Sequence, residues 1–169
     1  MKKAGKGRLN DPKEPLSEKE MPAYLATLTP KDWKRLLRFI PRLQAKKGLG
    51  KWNSPKKEDG VSVMPYCVLG STEREFLKLV YRMRLVIPFD WGNWREGRRL
   101  VRQDVSGLDL LTLLKLMTAI VRNDRYCEGA LHSAMSNGVM LGILKAIKVR
   151  VEKPRVKKGS KAIRQSKKA

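Results

Sequence analysis

Residues 108–149 read LDLLTLLKLMTAIVRNDRYCEGALHSAMSNGVMLGILKAIKV, and this stretch decides the fold. Leu110, Leu111, Leu113, Leu114, Met117, Ile120 and Val121 cover more than one helical face, the pattern of a helix buried on most sides. Ser106 and Asp109 predict a capping box at its start. Asn137-Gly138 reads as a helix stop, because either residue tolerates left-handed backbone. Met140, Ile143, Leu144 and Ile147 then fall on one stripe of a last helix over Val139–Val149. A short helix around Arg125–Met135 joins the two.

Working outward, Thr72–Glu75 predicts a second capping box. Phe76, Leu77, Val80, Tyr81 and Leu85 follow it at helical spacing, and Pro88 stops that helix. Upstream, Thr29 can cap a helix with Pro30 at its first position and Asp32 closing a box. Trp33, Leu36, Leu37, Ile40 and Leu43 continue it, with Pro41 expected to kink or end it. Lys46–Gly60 reads as a loop. Val61–Leu69 is apolar and β-branched, hence extended, although Pro65 argues against a central strand. The expected fold is mainly α: a small compact multi-helix domain with a basic N-terminal arm and a basic C-terminal tail. The arm spans residues 1–16, the helical domain 17–150 with a basic loop at 46–60, and the tail 151–169. Val61–Lys148 reads as the folded core.

Composition narrows the function. The chain has 169 residues, with 38 Lys and Arg against 16 Asp and Glu, for a formal net charge of +22. Nearly all of the excess lies in residues 1–10, 31–60 and 141–169, while 61–140 is close to balanced. No apolar run approaches the length of a membrane span, and the basic N-terminus has no apolar run behind it, so a signal peptide is not expected. Two cysteines are too few for a disulfide framework. These readings point to an intracellular, cytoplasmic protein. One His and two Cys do not make a structural zinc site. No metal or other cofactor is expected, and no membrane partner.

Two constellations could carry chemistry. Arg122, Asp124, Arg125 and Glu128 crowd the junction between two apolar helices. They read as an internal clamp, since Arg binds carboxylate in bidentate fashion. The sharper reading is a site with Arg for an anion and Asp or Glu as acid or base. His132 could pair there with Asp124 or Glu128. Phe89-Asp90-Trp91-Gly92-Asn93-Trp94 is the second. Its indoles read as core anchors of a turn or as base-stacking rings, with Asp90 capping a short helix that carries Trp94.

The basic segments carry more weight. Lys31, Lys34, Arg35, Arg38 and Arg42 fall mostly on one helical face. Lys46, Lys47, Lys51, Lys56 and Lys57 follow in a loop that also holds Trp52. Lys148, Arg150, Lys153, Arg155, Lys157, Lys158, Lys161, Arg164, Lys167 and Lys168 make the tail. A basic face, a basic loop with one aromatic and a basic tail are the electrostatic footprint of nucleic-acid binding.

Residues 111–147, LTLLKLMTAIVRNDRYCEGALHSAMSNGVMLGILKAI, resemble the C-terminal half of a bacterial and phage domain of unknown function, family 6508. The matching features are a Leu-rich helix, then Arg122, Asp124, Arg125, Tyr126, Glu128 and Gly129, then a last apolar helix. FDWGNW at 89–94 resembles the family's aromatic Asp-Trp stretch, and the likeness covers roughly 31–149. It implies a small helical domain of bacterial or phage source. It implies no activity, so no catalytic residue is carried over.

The expectation is therefore a non-enzymatic protein that binds DNA or RNA through the phosphate backbone, alone or within a larger nucleoprotein complex. Its oligomeric state is open. Two alternatives stand beside it: an enzyme or accessory subunit with its site at Arg122–Glu128, and a protein that docks on an acidic protein partner.

Overall fold

The computed structural model describes residues 16–54 and 64–152. Lys56 and Lys57, and the tail candidates from Lys153 onward, lie outside the described residues. The elements in chain order are α1 (Met21–Thr27), α2 (Pro30–Leu37), α3 (Phe39–Gln44), β1 (Lys51–Asn53), β2 (Tyr66–Val68), α4 (Ser71–Arg82), α5 (Arg95–Leu100), α6 (Leu110–Asn123), α7 (Ala130–Ser136) and α8 (Val139–Glu152). The architecture is mainly helical, as expected.

Helix α6 is the central element, packed by α5, α7 and α8. Leu113, Leu114, Leu116 and Met117 are fully buried on it, and Met140, Ile143, Leu144 and Ile147 meet them from α8. Each such side chain contributes about 1.5–3 kcal/mol of burial, which is why this pair organises the rest. Phe39 and Phe76 close the far side edge to face, with centroids 5.3 Å apart. The core does not start at Val61. It includes Met21, Trp33, Leu36, Phe39 and Leu43, and Tyr24 fastens α1 by donating its hydroxyl to the Met83 carbonyl at 2.8 Å.

The Thr29–Asp32 capping box forms as read, with the Asp32 carboxylate accepting the Thr29 N–H at 2.9 Å. Helix α2 then stops at Leu37. A single helix over residues 30–43 is excluded because Pro41 has no N–H for the Leu37 carbonyl and its ring crowds it. The chain restarts as α3, where Pro41 falls in the first turn and is tolerated.

Other expectations shift. Asp109 caps α6, accepting the Thr112 N–H at 3.0 Å, whereas Ser106 donates to Asp104 instead. Asp90 does not cap α5. It accepts from Asn93 and ties the turn before that helix. The helix expected to reach Pro88 ends at Arg82. Arg84 takes a left-handed φ of +52°, and the N–H groups of Arg84 and Leu85 return to the carbonyls of Tyr81 and Val80. This is a Schellman closure with arginine where glycine is usual. It turns Leu85, Val86 and Ile87 into the core, and the Ile87 N–H donates to the buried Thr118 hydroxyl at 3.0 Å. Helix α7 starts at Ala130 rather than near Arg125, and α8 runs on to Glu152. The expected loop at 46–60 contains β1, paired antiparallel with β2 in the register Lys51↔Val68, Trp52↔Cys67 and Asn53↔Tyr66.

The caps give the acid limb of stability its sign. Hydrogen bonds from the Thr29 hydroxyl and N–H hold the Asp32 carboxyl below its usual range. Burial pushes the Asp109 carboxyl up, but hydrogen bonds from Thr112 and from backbone N–H groups outweigh it and leave it lowered. Depressed carboxyls stabilise fully above the ordinary value near about 4 and lose that contribution as pH falls through the lowered one. Melting temperature should therefore fall below about pH 4. Asp109→Ala should cost about 1 kcal/mol at neutral pH, a drop of roughly 2–4 °C, and flatten that acid limb. An unchanged acid limb in the variant would show that the cap is not responsible.

Candidate nucleic-acid interface

Burial of Trp33 and Leu36 turns the opposite face of α2 to solvent. Lys31, Lys34 and Arg35 stand exposed there, and none forms a salt bridge with a described residue. The next two arginines differ. Arg42 grips Glu75 of α4 with both terminal guanidinium nitrogens, at 2.6 and 3.3 Å, and Arg38 approaches the same carboxylate at 3.5 Å. The Arg42 hydrogen bond is the main cause that holds the Glu75 carboxyl below its usual range. The two guanidinium groups also lie over the Phe39 ring, at 5.4 and 5.3 Å from its centroid. These charges fasten α2–α3 to α4.

A groove of about 1370 Å³ runs between α1, α2, α3, the start of α6 and the end of α8. Lys34, Arg38, Lys148 and Arg150 line it, above apolar groups that include Leu25, Leu37, Ile40, Leu110 and Val151. Two basic segments more than a hundred residues apart thus share one groove. Arg150 is committed to the fold, since it donates to the carbonyls of Leu108 and Ser106 at 2.8 and 2.9 Å. Lys148 sits 4.0 Å from Glu152 in an exposed pair, a contact of little energetic consequence.

Lys46, Lys47, Lys51 and Trp52 do not line this groove. They surround a second junction, built on Glu73. That carboxylate is fully buried at the first turn of α4. One oxygen accepts the N–H groups of Gly50 and Gly70, and the other lies 2.8 Å from Nδ1 of His132 on α7. Thr72 beside it donates to the Lys47 carbonyl at 2.7 Å. The backbones of residues 48–50 and Gly70 come so close that a Cβ at Gly70 would collide with main-chain atoms. Neither glycine can be replaced there without moving the ribbon.

Within the Arg122–Glu128 group, Asp124, Arg125 and Glu128 each take a partner outside the group. Asp124 accepts the Leu131 N–H at 2.9 Å, Glu128 accepts the Cys67 N–H at 2.9 Å, and Arg125 donates to the Tyr81 hydroxyl at 3.0 Å. Among the described residues no salt bridge joins the four, and His132 pairs with neither Asp124 nor Glu128 but with Glu73. Each carboxylate accepts a backbone N–H, and the Arg–carboxylate pairing expected of an internal clamp is not formed among the described residues. Gly129, at a φ of +76°, packs against the Trp52 ring with no room for a Cβ. Among the described residues no three His, Cys, Asp or Glu side chains meet as a metal site. No helix there is long and apolar enough to cross a membrane.

One basic segment escaped the sequence reading. Arg95, Arg98, Arg99 and Arg102 are all exposed around α5. Their i, i+3, i+4, i+7 recurrence in REGRRLVR was the available signal.

Residues 28–153 match the family DUF6508, described as a family of unknown function. No curated protein and no solved structure matches the chain.

Removing the Glu73 carboxylate strips acceptors from two N–H groups and from His132. Glu73→Ala should cost about 2–4 kcal/mol, measured by urea unfolding. Glu73→Gln keeps one acceptor oxygen and should lose less. An alanine variant as stable as the unaltered chain would remove Glu73 from this role.

Proposed function

The chain belongs to the DUF6508 family, whose description assigns no activity, and we propose that it is a non-enzymatic nucleic-acid-binding protein of bacterial or phage origin. It holds DNA or RNA mainly by phosphate contacts. The observation that carries this reading is the set of cations left over after folding. Arg42 and Arg150 are consumed by a carboxylate and by carbonyls, yet Lys31, Lys34 and Arg35 stand exposed without a salt bridge among the described residues. Such a surface repels itself unless an anion offsets it. Phosphates along a strand are anions at regular short spacing, and neutralising them releases counterions.

The enzyme alternative draws less support, because Asp124 and Glu128 each already accept a backbone N–H. The protein-partner alternative keeps one observation in its favour. The groove beside Lys34 and Lys148 has an apolar floor, which suits a segment that is acidic and apolar.

Fluorescence anisotropy with short DNA and RNA over a salt series tests the proposal. The full chain should bind with log affinity falling linearly against log salt. Replacing Lys31, Lys34 and Arg35 together by Ser should make that slope shallower by up to about 3 on duplex DNA. Undetectable binding at low salt would overturn the reading. Co-purification of an acidic protein after nuclease treatment would then favour the partner alternative.

A further inference from the structure

The α5 arginines do not stand alone. A cleft of about 410 Å³ opens between their segment and α6, lined by Trp91, Trp94, Arg98, Arg102, Ile120 and Asn123 among others. That volume is within the range of small-ligand sites. The two indoles in it have different tasks. Trp94 is a wall of the fold: it meets Phe89 edge to face at 5.4 Å, and Gly97 lies so close beneath its ring that no Cβ fits. Trp91 is only half-buried, and its ring faces Tyr126 at 5.8 Å with a 35° tilt. Tyr126 itself is 81% exposed. The turn that carries Trp91 is fixed on both sides, by Asp90 accepting from Asn93 and by Arg98 donating to the Gly92 carbonyl at 3.0 Å. Among the described residues no carboxylate lines the cleft.

We infer that this cleft is a subsite for an unpaired base of a single-stranded nucleic acid. It rests on the nucleic-acid reading above and specifies the kind of strand. The base stacks on the Trp91 ring that lines the cleft, with Tyr126 bracing that indole from beside it, and any nucleobase presents a π-face. The Asn123 amide, a donor and an acceptor together, meets the base edge. Arg95, Arg99 and Arg102 take the flanking phosphates, and Arg98 keeps the loop in place while presenting its remaining N–H groups. Bases inside a duplex are already stacked on their neighbours and cannot enter a cleft of this size. The site therefore favours single strands over duplexes, whereas the α2 face serves both.

The test compares a short oligothymidylate with a duplex of equal length, using the full chain, Trp91→Ala, Tyr126→Ala and Trp91→Phe. Both aromatics are at the surface, and thermal melts confirm that each variant folds. Trp91→Ala should weaken single-strand binding about tenfold and leave duplex binding unchanged, with Trp91→Phe restoring most of the loss. Tyr126→Ala should act in the same direction, more weakly. Duplex and single-strand binding both intact in Trp91→Ala would overturn the subsite alone, as would an equal loss for both. No binding of either oligonucleotide by the unaltered chain would overturn the nucleic-acid reading, and the subsite with it.

Discussion

A single buried carboxylate holds together the parts of this domain that helix packing does not. Glu73 is fully buried and binds Gly50, Gly70 and His132. A buried charge is costly unless its lone pairs are occupied. Occupying them here requires the chain to bring β1, the lead into α4, and α7 to one point. The close glycine backbones, the Thr72 hydroxyl on Lys47 and the Glu128 carboxylate on Cys67 all surround that point. The two-stranded ribbon is too short to persist unaided. It is held because the residues flanking its Lys51–Val68 end, Gly50 and Gly70, are anchored to this centre.

The distribution of positive charge follows from a similar division of labour. Some cations are structural: Arg42 with Glu75, Arg150 with two carbonyls, Arg125 with Tyr81. Others, Lys31, Lys34 and Arg35, form no salt bridge among the described residues. Spacing along the sequence identifies a basic face but does not separate these classes, because the acceptors are far away in the chain. Arg42 and Glu75 are 33 residues apart, and Arg150 and Leu108 are 42 apart.

The same limit explains what was readable in advance. Helices α6 and α8 were legible because their burial pattern is local and periodic. So was the Thr29–Asp32 box, whose partners are three residues apart. The α4 cap was misplaced by a few residues because Thr72 and Glu75 have the right types, yet each is drawn to a distant partner and Glu73 takes the capping role. The left-handed turns at Lys46 and Arg84 gave no glycine signal. The aromatic Asp-Trp turn is visible in the sequence, but its relation to Tyr126 is a tertiary fact. His132 illustrates the point most plainly: its nearest acidic neighbours in sequence are not its partner.

The junction also constrains how the chain folds. Glu73 and His132 are 59 residues apart, and Cys67 and Glu128 are 61 apart. Closing either loop from an open chain carries an entropy cost that forming α6 or α8 does not. Once one contact exists, the other spans an effective loop of only roughly ten residues, so its closure is far cheaper. The ribbon and the α6–α7 turn are therefore coupled: whichever contact forms, the other becomes cheaper to close.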